Sequence, residues 1–243
     1  MSSPSGLGGR RSIRLDLHNH TFFSADGVMS PAALLAAAKA KDVACIAVTD
    51  HNTVKGALQA VALAEADLSL PRVIPGIEIS TCDGEIVGLY VWENIPSGLP
   101  LLDTVRRIRG QGGIVYLPHP FDSLRRGTVS RRQRQHAAEL ADIIEVVNGR
   151  SLGPRAGEKA LALAKRLGKP QGAGSDAHHE IEVGIASVLV DAYPSQEILV
   201  SLVAQGRVVH DLNLREYTLN WGMQGLAPVT RIRRRVAGDL ARR

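Results

Sequence analysis

Several things are scarce in this chain. It has two cysteines, Cys45 and Cys82, both within apolar, strand-like stretches. Two thiols so placed exclude a disulfide framework and fit a reducing compartment, so a cytoplasmic location is expected. No apolar run approaches the ~20 residues that a membrane-spanning helix needs. Residues 1–12 are rich in Ser and Gly and lack the apolar stretch of a secretory signal, so a flexible leader is expected there. There is no repeat of solenoid period, no low-complexity linker and no sign of an internal domain boundary.

A basic body is also missing. The formal net charge is +5, but residues 230–243 carry Arg231, Arg233, Arg234, Arg235, Arg242 and Arg243 against Asp239. Six minus one is +5, so the rest of the chain is formally neutral. The basic character belongs to this Arg-rich tail, the end of the stretch 211–243, which makes nucleic acid or an anionic surface a candidate partner of the tail rather than of the body. That stretch is expected to be an appendage beyond the last clear element near residue 210.

What is present is a core-forming α/β pattern. The chain is 44% hydrophobic and 22% charged, ordinary for a globular domain with a buried core. Strand-length apolar runs lie at 13–17, 43–48, 73–79, 114–117, 142–147, 170–174 and 184–190. Helical patterns lie near 31–41, 53–66, 101–110, 131–140, 155–167 and 195–205. Ser30-Pro31 is a helix start, with a capping hydroxyl and Pro at the first helical position. Thr53 and Ser195 are candidate caps of the same kind. Runs such as Val43-Ala44-Cys45-Ile46-Ala47-Val48 read as parallel strands covered on both faces. Seven strands interleaved with six helices in one series predict a barrel or a doubly wound sheet. An extra hairpin is expected over 78–91, where Asp83-Gly84 separates two strand-like runs.

The ionisable residues fall at the strand ends. His18 and His20 follow the first run, Asp50 and His51 the second, Glu78 the third. His119 follows the fourth, Asn148 the fifth, and Asp176 and His178 the sixth. A lone strand-end His or Asp is most often a loop or helix cap. A carboxylate ending an apolar strand, as in Gly76-Ile77-Glu78-Ile79, is costly to bury unless paired or metal-bound. In a parallel barrel all six ends meet on one face, where active sites sit. Imidazole and carboxylate together suit Zn²⁺, Mn²⁺ or iron. His18-x-His20 and Asp176-x-His178 each present two side chains on one side of an extended segment. The donors exceed what one tetrahedral ion needs, so two or three divalent ions are expected.

Leu15-Asp16-Leu17-His18-Asn19-His20-Thr21, Thr49-Asp50-His51-Asn52-Thr53, Pro75-Gly76-Ile77-Glu78-Ile79, Pro118-His119-Pro120 and Gly174-Ser175-Asp176-Ala177-His178 resemble, in order, the motifs of the PHP (polymerase and histidinol phosphatase) family. The resemblance spans about residues 13–210 and is to the short stand-alone members. It implies a distorted seven-stranded (βα) barrel, TIM-like in plan, that binds up to three metals and hydrolyses phosphate esters. It also implies the ligand sets: His18, His20, Glu78 and Asp176 for a first metal, Glu78 and His119 for a second, Asp26, His51 and His178 for a third. Asp26 read by itself is a turn aspartate. Where many members supply a further His or Cys to the second metal, this chain has Asn148, and in the hairpin it has Glu85, so either is a candidate to complete that site.

The expected chemistry is attack of a metal-activated water on phosphorus, with Glu78, Asp176 and Asp50 as catalytic carboxylates and Asp50 orienting His51 from behind. Arg125 and Arg150 are candidate phosphate clamps. The expected substrate is a small phosphomonoester or nucleotide. Alternatives are a 5′–3′ exonuclease or phosphodiesterase acting on nucleic acid ends, and a non-catalytic binding module. Cys82 is read as a buried small hydrophobe, His136 and His210 as structural or solvent-facing.

Overall fold

The computed structural model of the chain describes residues 12–122, 127–151 and 155–211. Arg125, the leader up to Arg11 and the Arg-rich tail lie outside the described residues.

Nine strands form one sheet among the described residues: β1 (Ile13–Asp16), β2 (Cys45–Val48), β3 (Arg72–Thr81), β4 (Gly84–Leu89), β5 (Ile114–Leu117), β6 (Ile143–Asn148), β7 (Gln171–Gly174), β8 (Ala186–Val190) and β9 (Arg207–His210). Six helices accompany them: α1 (Pro31–Ala40), α2 (Lys55–Ala66), α3 (Leu101–Gly110), α4 (Arg134–Leu140), α5 (Ala156–Leu167) and α6 (Leu199–Gln205). The sheet order is β7-β6-β5-β4-β3-β2-β1-β8-β9.

The barrel is nearly closed, and it departs from seven parallel strands. The hairpin around Asp83-Gly84 forms, but β4 is part of the wall: it pairs antiparallel with both β3 and β5. The run expected as the last parallel strand, β8, lies antiparallel to β1, and β9 is antiparallel to β8. A strand buried on both faces carries the same apolar sequence in either direction, so its composition does not reveal its sense. Closure comes past the end of β1, where Leu17 N–H donates to Ala173 O at 3.2 Å and Asp176 N–H to His18 O at 2.7 Å.

Asp16 fastens that seam. Its buried carboxylate accepts from the backbone N–H of Ser175 (2.9 Å) and of Gly184 (3.0 Å), and from the Ser175 hydroxyl. Burial pushes its pKa up, against the pull of these hydrogen bonds.

One buried cluster draws on eight strands, with Leu15, Ala47, Ile74, Val87, Tyr116, Ile143, Ala173 and Val188 filling the interior. Outside, α3, α4 and α5 cover β3 to β6 through residues such as Val105, Ile108, Ala138 and Leu163. Met29, with α1 and α2, covers β2. Ser30 caps α1, its Oγ accepting from Ala33 N–H at 3.0 Å, with Pro31 at the first position. The other two expected caps differ. Val54 N–H is taken by Asn94 Oδ1 (2.9 Å), with Thr53 one residue before the cap position. The cap at Ser195 is not formed, because α6 begins only at Leu199 and Ser195 lies in the preceding turn. Cys45 is buried in β2, but Cys82 is exposed in the hairpin turn, which corrects its reading as a buried hydrophobe. None of the described helices is long and apolar enough to cross a membrane.

Candidate metal centre

Six strands of common direction deliver their ends to one face. The structure brings His18, His20, Asp26, His51, Glu78, His119, Asp176 and His178 together there, and all but Asp26 and His51 are buried. Glu78 is the hub. Its Oε2 lies 3.4 Å from His18 Nε2, 3.3 Å from His20 Nε2 and 3.2 Å from His51 Nδ1. Its Oε1 lies 3.3 Å from His119 Nε2. Asp176 Oδ1 lies 3.4 Å from His20 Nε2 and 4.0 Å from His18 Nε2. Asp26 Oδ2 lies 3.2 Å from His178 Nε2 and 3.6 Å from His51 Nε2. Two of these positions, His119 (φ 27°) and Asp176 (φ 53°), have left-handed backbones that residues other than Gly seldom adopt.

Glu85 enters from the start of β4. Its Oε1 is 3.8 Å from His51 Nδ1 and its Oε2 3.9 Å from His119 Nε2. Asn148 is engaged differently: its amide donates to Glu145 (2.9 Å) and Asp176 (3.0 Å), and its Oδ1 accepts from Arg150 N–H.

The ring orientations fit cations. His18 Nδ1 faces Glu145 Oε1 at 3.2 Å, so Nδ1 carries the proton and the Nε2 lone pair faces the cluster. Ser24 Oγ donates to Asp50, so it accepts from His20 Nδ1–H, which leaves the second Nε2 lone pair facing inward too. These two nitrogens stand 3.1 Å apart. Lone pairs that close repel unless a positive charge lies between them. His178 Nε2 and Asp26 Oδ1 are buried without a hydrogen-bond partner. Four groups of three donors can each hold an ion: His18/His20/Asp176, His18/Glu78/His119, His51/Glu78/Glu85 and His20/His51/His178.

Without metal, protons do the same service. Burial lowers the proton affinity of His18, but Asp176, Glu78 and Glu145 outweigh it and hold the ring well above the usual imidazole range. The same contest, with Glu78 foremost among the carboxylates, pushes His51 up to about 10. Burial alone would raise Glu78, yet His18, His51 and His119 hold it well below the usual carboxylate range. Burial, then the charges of His20 and Arg150, push His178 down to about 3. A sign follows for the metal-free protein. The His51 contribution to stability is complete below its unfolded value of 6.5 and is lost as pH rises toward about 10. Melting of chelator-stripped protein should therefore fall over that window, and metal-loaded protein should resist the fall. A flat profile for the stripped protein would remove this electrostatic account.

Asp50 stands behind the cluster. It accepts from Thr21 N–H (2.6 Å), the Thr21 hydroxyl (2.7 Å) and the Ser24 hydroxyl (3.0 Å), and so reaches the rings only through Ser24. Ser24 Oγ also accepts from the His51 backbone N–H at 2.8 Å. Arg150 is largely buried beside His178, its Nε 4.0 Å from Glu182 Oε1. Glu182 in turn accepts from His178 N–H at 2.7 Å. His136 and His210 are exposed, and His179 is half-buried. Glu145, Tyr116, Ser24 and Glu182 were not singled out from the sequence. For Glu145 the signal existed: it interrupts Ile143-Ile144 and Val146-Val147 as Glu78 interrupts its own strand.

The PHP domain family model matches residues 16–165, and the PHP-associated model matches 154–208. A protein of uncharacterised function from Methanocaldococcus jannaschii is 33% identical over 179 residues, covering 72% of this chain and 70% of that one. The Escherichia coli 5′-3′ exoribonuclease Rnm is 31% identical over 186 residues, covering 75% of this chain but 53% of the enzyme. Among solved structures, a two-domain Bacteroides vulgatus protein described as containing a predicted PHP-like metal-dependent phosphoesterase superposes with a TM-score of 0.67 at 19% identity, over 88% of this chain and 71% of that one. PsfC from Pseudomonas syringae gives a TM-score of 0.64 at 19% identity, over 90% and 99%. These two likenesses are of fold.

Proposed function

Because the chain belongs to the PHP domain family, we propose that it hydrolyses phosphate esters at a cluster of two or three divalent metal ions, Zn²⁺, Mn²⁺ or Fe²⁺, with a small phosphomonoester or nucleotide as substrate. The observation that carries this reading is the meeting of five histidines and three acidic side chains around Glu78. His18, His20, Glu78 and Asp176 hold the first ion, and Glu78 and His119 the second, with Glu85 rather than Asn148 as its further ligand. Asp26, His51 and His178 hold the third. Bound ions of this kind neutralise the phosphate, provide a nucleophilic water near neutral pH and stabilise charge on the oxygens of an in-line displacement. Glu78 keeps the ligand sets in register. Asp50 positions His20 through Ser24. Arg150, whose Nε lies 4.0 Å from Glu182 Oε1, offers its guanidinium to a phosphate oxygen.

Arg150→Ala is expected to raise KM roughly tenfold or more, the worth of one charge-assisted hydrogen bond, with a smaller effect on kcat. Steady-state kinetics on a small phosphomonoester check this, and an unchanged KM would take Arg150 out of the substrate site.

A second reading is favoured by one observation, the 31% identity to a 5′-3′ exoribonuclease over 75% of this chain. The chain spans about half of that enzyme's length, which leaves the small-substrate reading first. One assay separates the two: the full chain, loaded with Mn²⁺ or Zn²⁺, against phosphomonoesters, nucleotides and short oligoribonucleotides. Inorganic phosphate from the small esters supports the first. Stepwise mononucleotide release from a 5′ end supports the second. No hydrolysis of any of them by metal-replete protein would leave the binding-module reading.

A further inference from the structure

We propose that Glu145 is the positioning residue that locks two of the metal subsites into one geometry. Glu145 lies midway along β6, is 1% exposed and points into the barrel. A carboxylate buried this deeply is costly unless its oxygens are satisfied. Here four donors meet it. Oε1 faces His18 Nδ1 at 3.2 Å and accepts from the Tyr116 hydroxyl at 2.9 Å. Oε2 accepts from the backbone N–H of His119 at 2.6 Å and from Asn148 Nδ2 at 2.9 Å. That uses the roughly four acceptor positions a carboxylate has.

Each bond fixes something at the cluster. The bond to His18 pins the Nδ1 proton and turns Nε2 toward Glu78. The bond to His119 N–H grips a residue whose φ is 27°, a backbone state that needs an outside hold, and so aims its ring at Glu78 Oε1. The bond from Asn148 extends to Asp176 Oδ2, which the same amide contacts at 3.0 Å. One side chain thus touches His18 directly, His119 through its backbone and Asp176 through Asn148. Those three residues are divided between the His18/His20/Asp176 and His18/Glu78/His119 groups.

Two glycines of β7 leave the space. A Cβ at Gly174 would stand 2.3 Å from His18 Cβ and 3.0 Å from Glu145 Oε1, and one at Gly172 would stand 2.5 Å from the Tyr116 ring. The spacing Gly172-Ala173-Gly174 is what lets Tyr116, Glu145 and His18 share the interior.

This inference rests on the metal-dependent reading of the cluster, and the test separates the two. The full chain is stripped of metal, and Zn²⁺ affinity is measured by competition with a chromophoric chelator. The visible spectrum of the Co²⁺-loaded protein is recorded alongside. If the unmutated protein binds no Zn²⁺, the metal reading itself fails. If it binds, Glu145→Gln is expected to weaken binding by about 10- to 100-fold, the usual cost of losing a ligand-orienting partner. It should also alter the Co²⁺ bands while retaining a cooperative melt. Glu145→Asp keeps the charge but loses reach, and should fall between the two. Should the Gln variant fail to fold, the Asp variant decides. Affinity within about twofold of the unmutated protein, with an unchanged Co²⁺ spectrum, would overturn the proposal.

Discussion

Glu78→Gln should leave a folded barrel with phosphoester turnover reduced roughly a thousandfold, the upper range for removing one electrostatic stabiliser of a transition state. Glu78 lies within 3.2–3.4 Å of a ring nitrogen of four different histidines. An amide there offers one neutral oxygen where two charged ones stood. Metal content, measured by elemental analysis after gel filtration, should fall together with kcat. His20→Ala, which touches two donor groups, and Asp176→Asn, which touches one, should show the same pattern. The cooperative melt should survive in each case, since the interior cluster below the site is untouched. Full turnover with full metal occupancy in Glu78→Gln would remove Glu78 from the centre of the chemistry.

Asp16→Ala should act in the opposite way, on fold before chemistry. Its carboxylate receives Ser175 N–H, the Ser175 hydroxyl and Gly184 N–H, all buried at the closing seam. Each orphaned buried donor costs about 1–3 kcal/mol, so a total on the order of 4 kcal/mol is expected. For a chain of this length that corresponds to a melting temperature lower by about 8–16 °C. Calorimetry checks it. A loss below about 1 kcal/mol would mean that water or a backbone shift re-satisfies the seam.

The site was more legible in the sequence than the sheet was. His18, His20, His51, His119, Asp176 and His178 stand where apolar runs stop, and a shared strand direction is enough to gather them. Glu78 betrayed itself as a charge inside Ile77-Glu78-Ile79. Asp26 was different, because a turn aspartate next to Gly27 is commonplace; the family resemblance alone marked it, and the structure places it opposite His178 and His51. The antiparallel sense of β4 followed from the hairpin at Asp83-Gly84, but its pairing with β5 as part of the wall did not, and the direction of β8 could not be read, since strands covered on both faces lose the alternation that marks a half-exposed antiparallel strand. The charge inside Ile144-Glu145-Val146 was readable, but its role was not, because its partners Tyr116, His119 and His18 are far away in sequence and come together only once the barrel closes.

The reversed sense of β4 has a consequence for metal selectivity. Parallel strands can present only their carboxyl-terminal ends to this face, so the positions available for ligands are soon exhausted. A strand running the other way presents its beginning, and Glu85 sits there, one residue into β4 and opposite Ser80. Its identity can change without disturbing any of the six parallel strands that carry the remaining donors. With Glu the added donor is a hard oxygen, which suits Mn²⁺. Glu85→His would substitute a nitrogen and move the preference toward Zn²⁺. If Glu85 holds an ion as proposed, the hairpin is a dial for the choice of ion, mounted on a wall that the rest of the centre does not use.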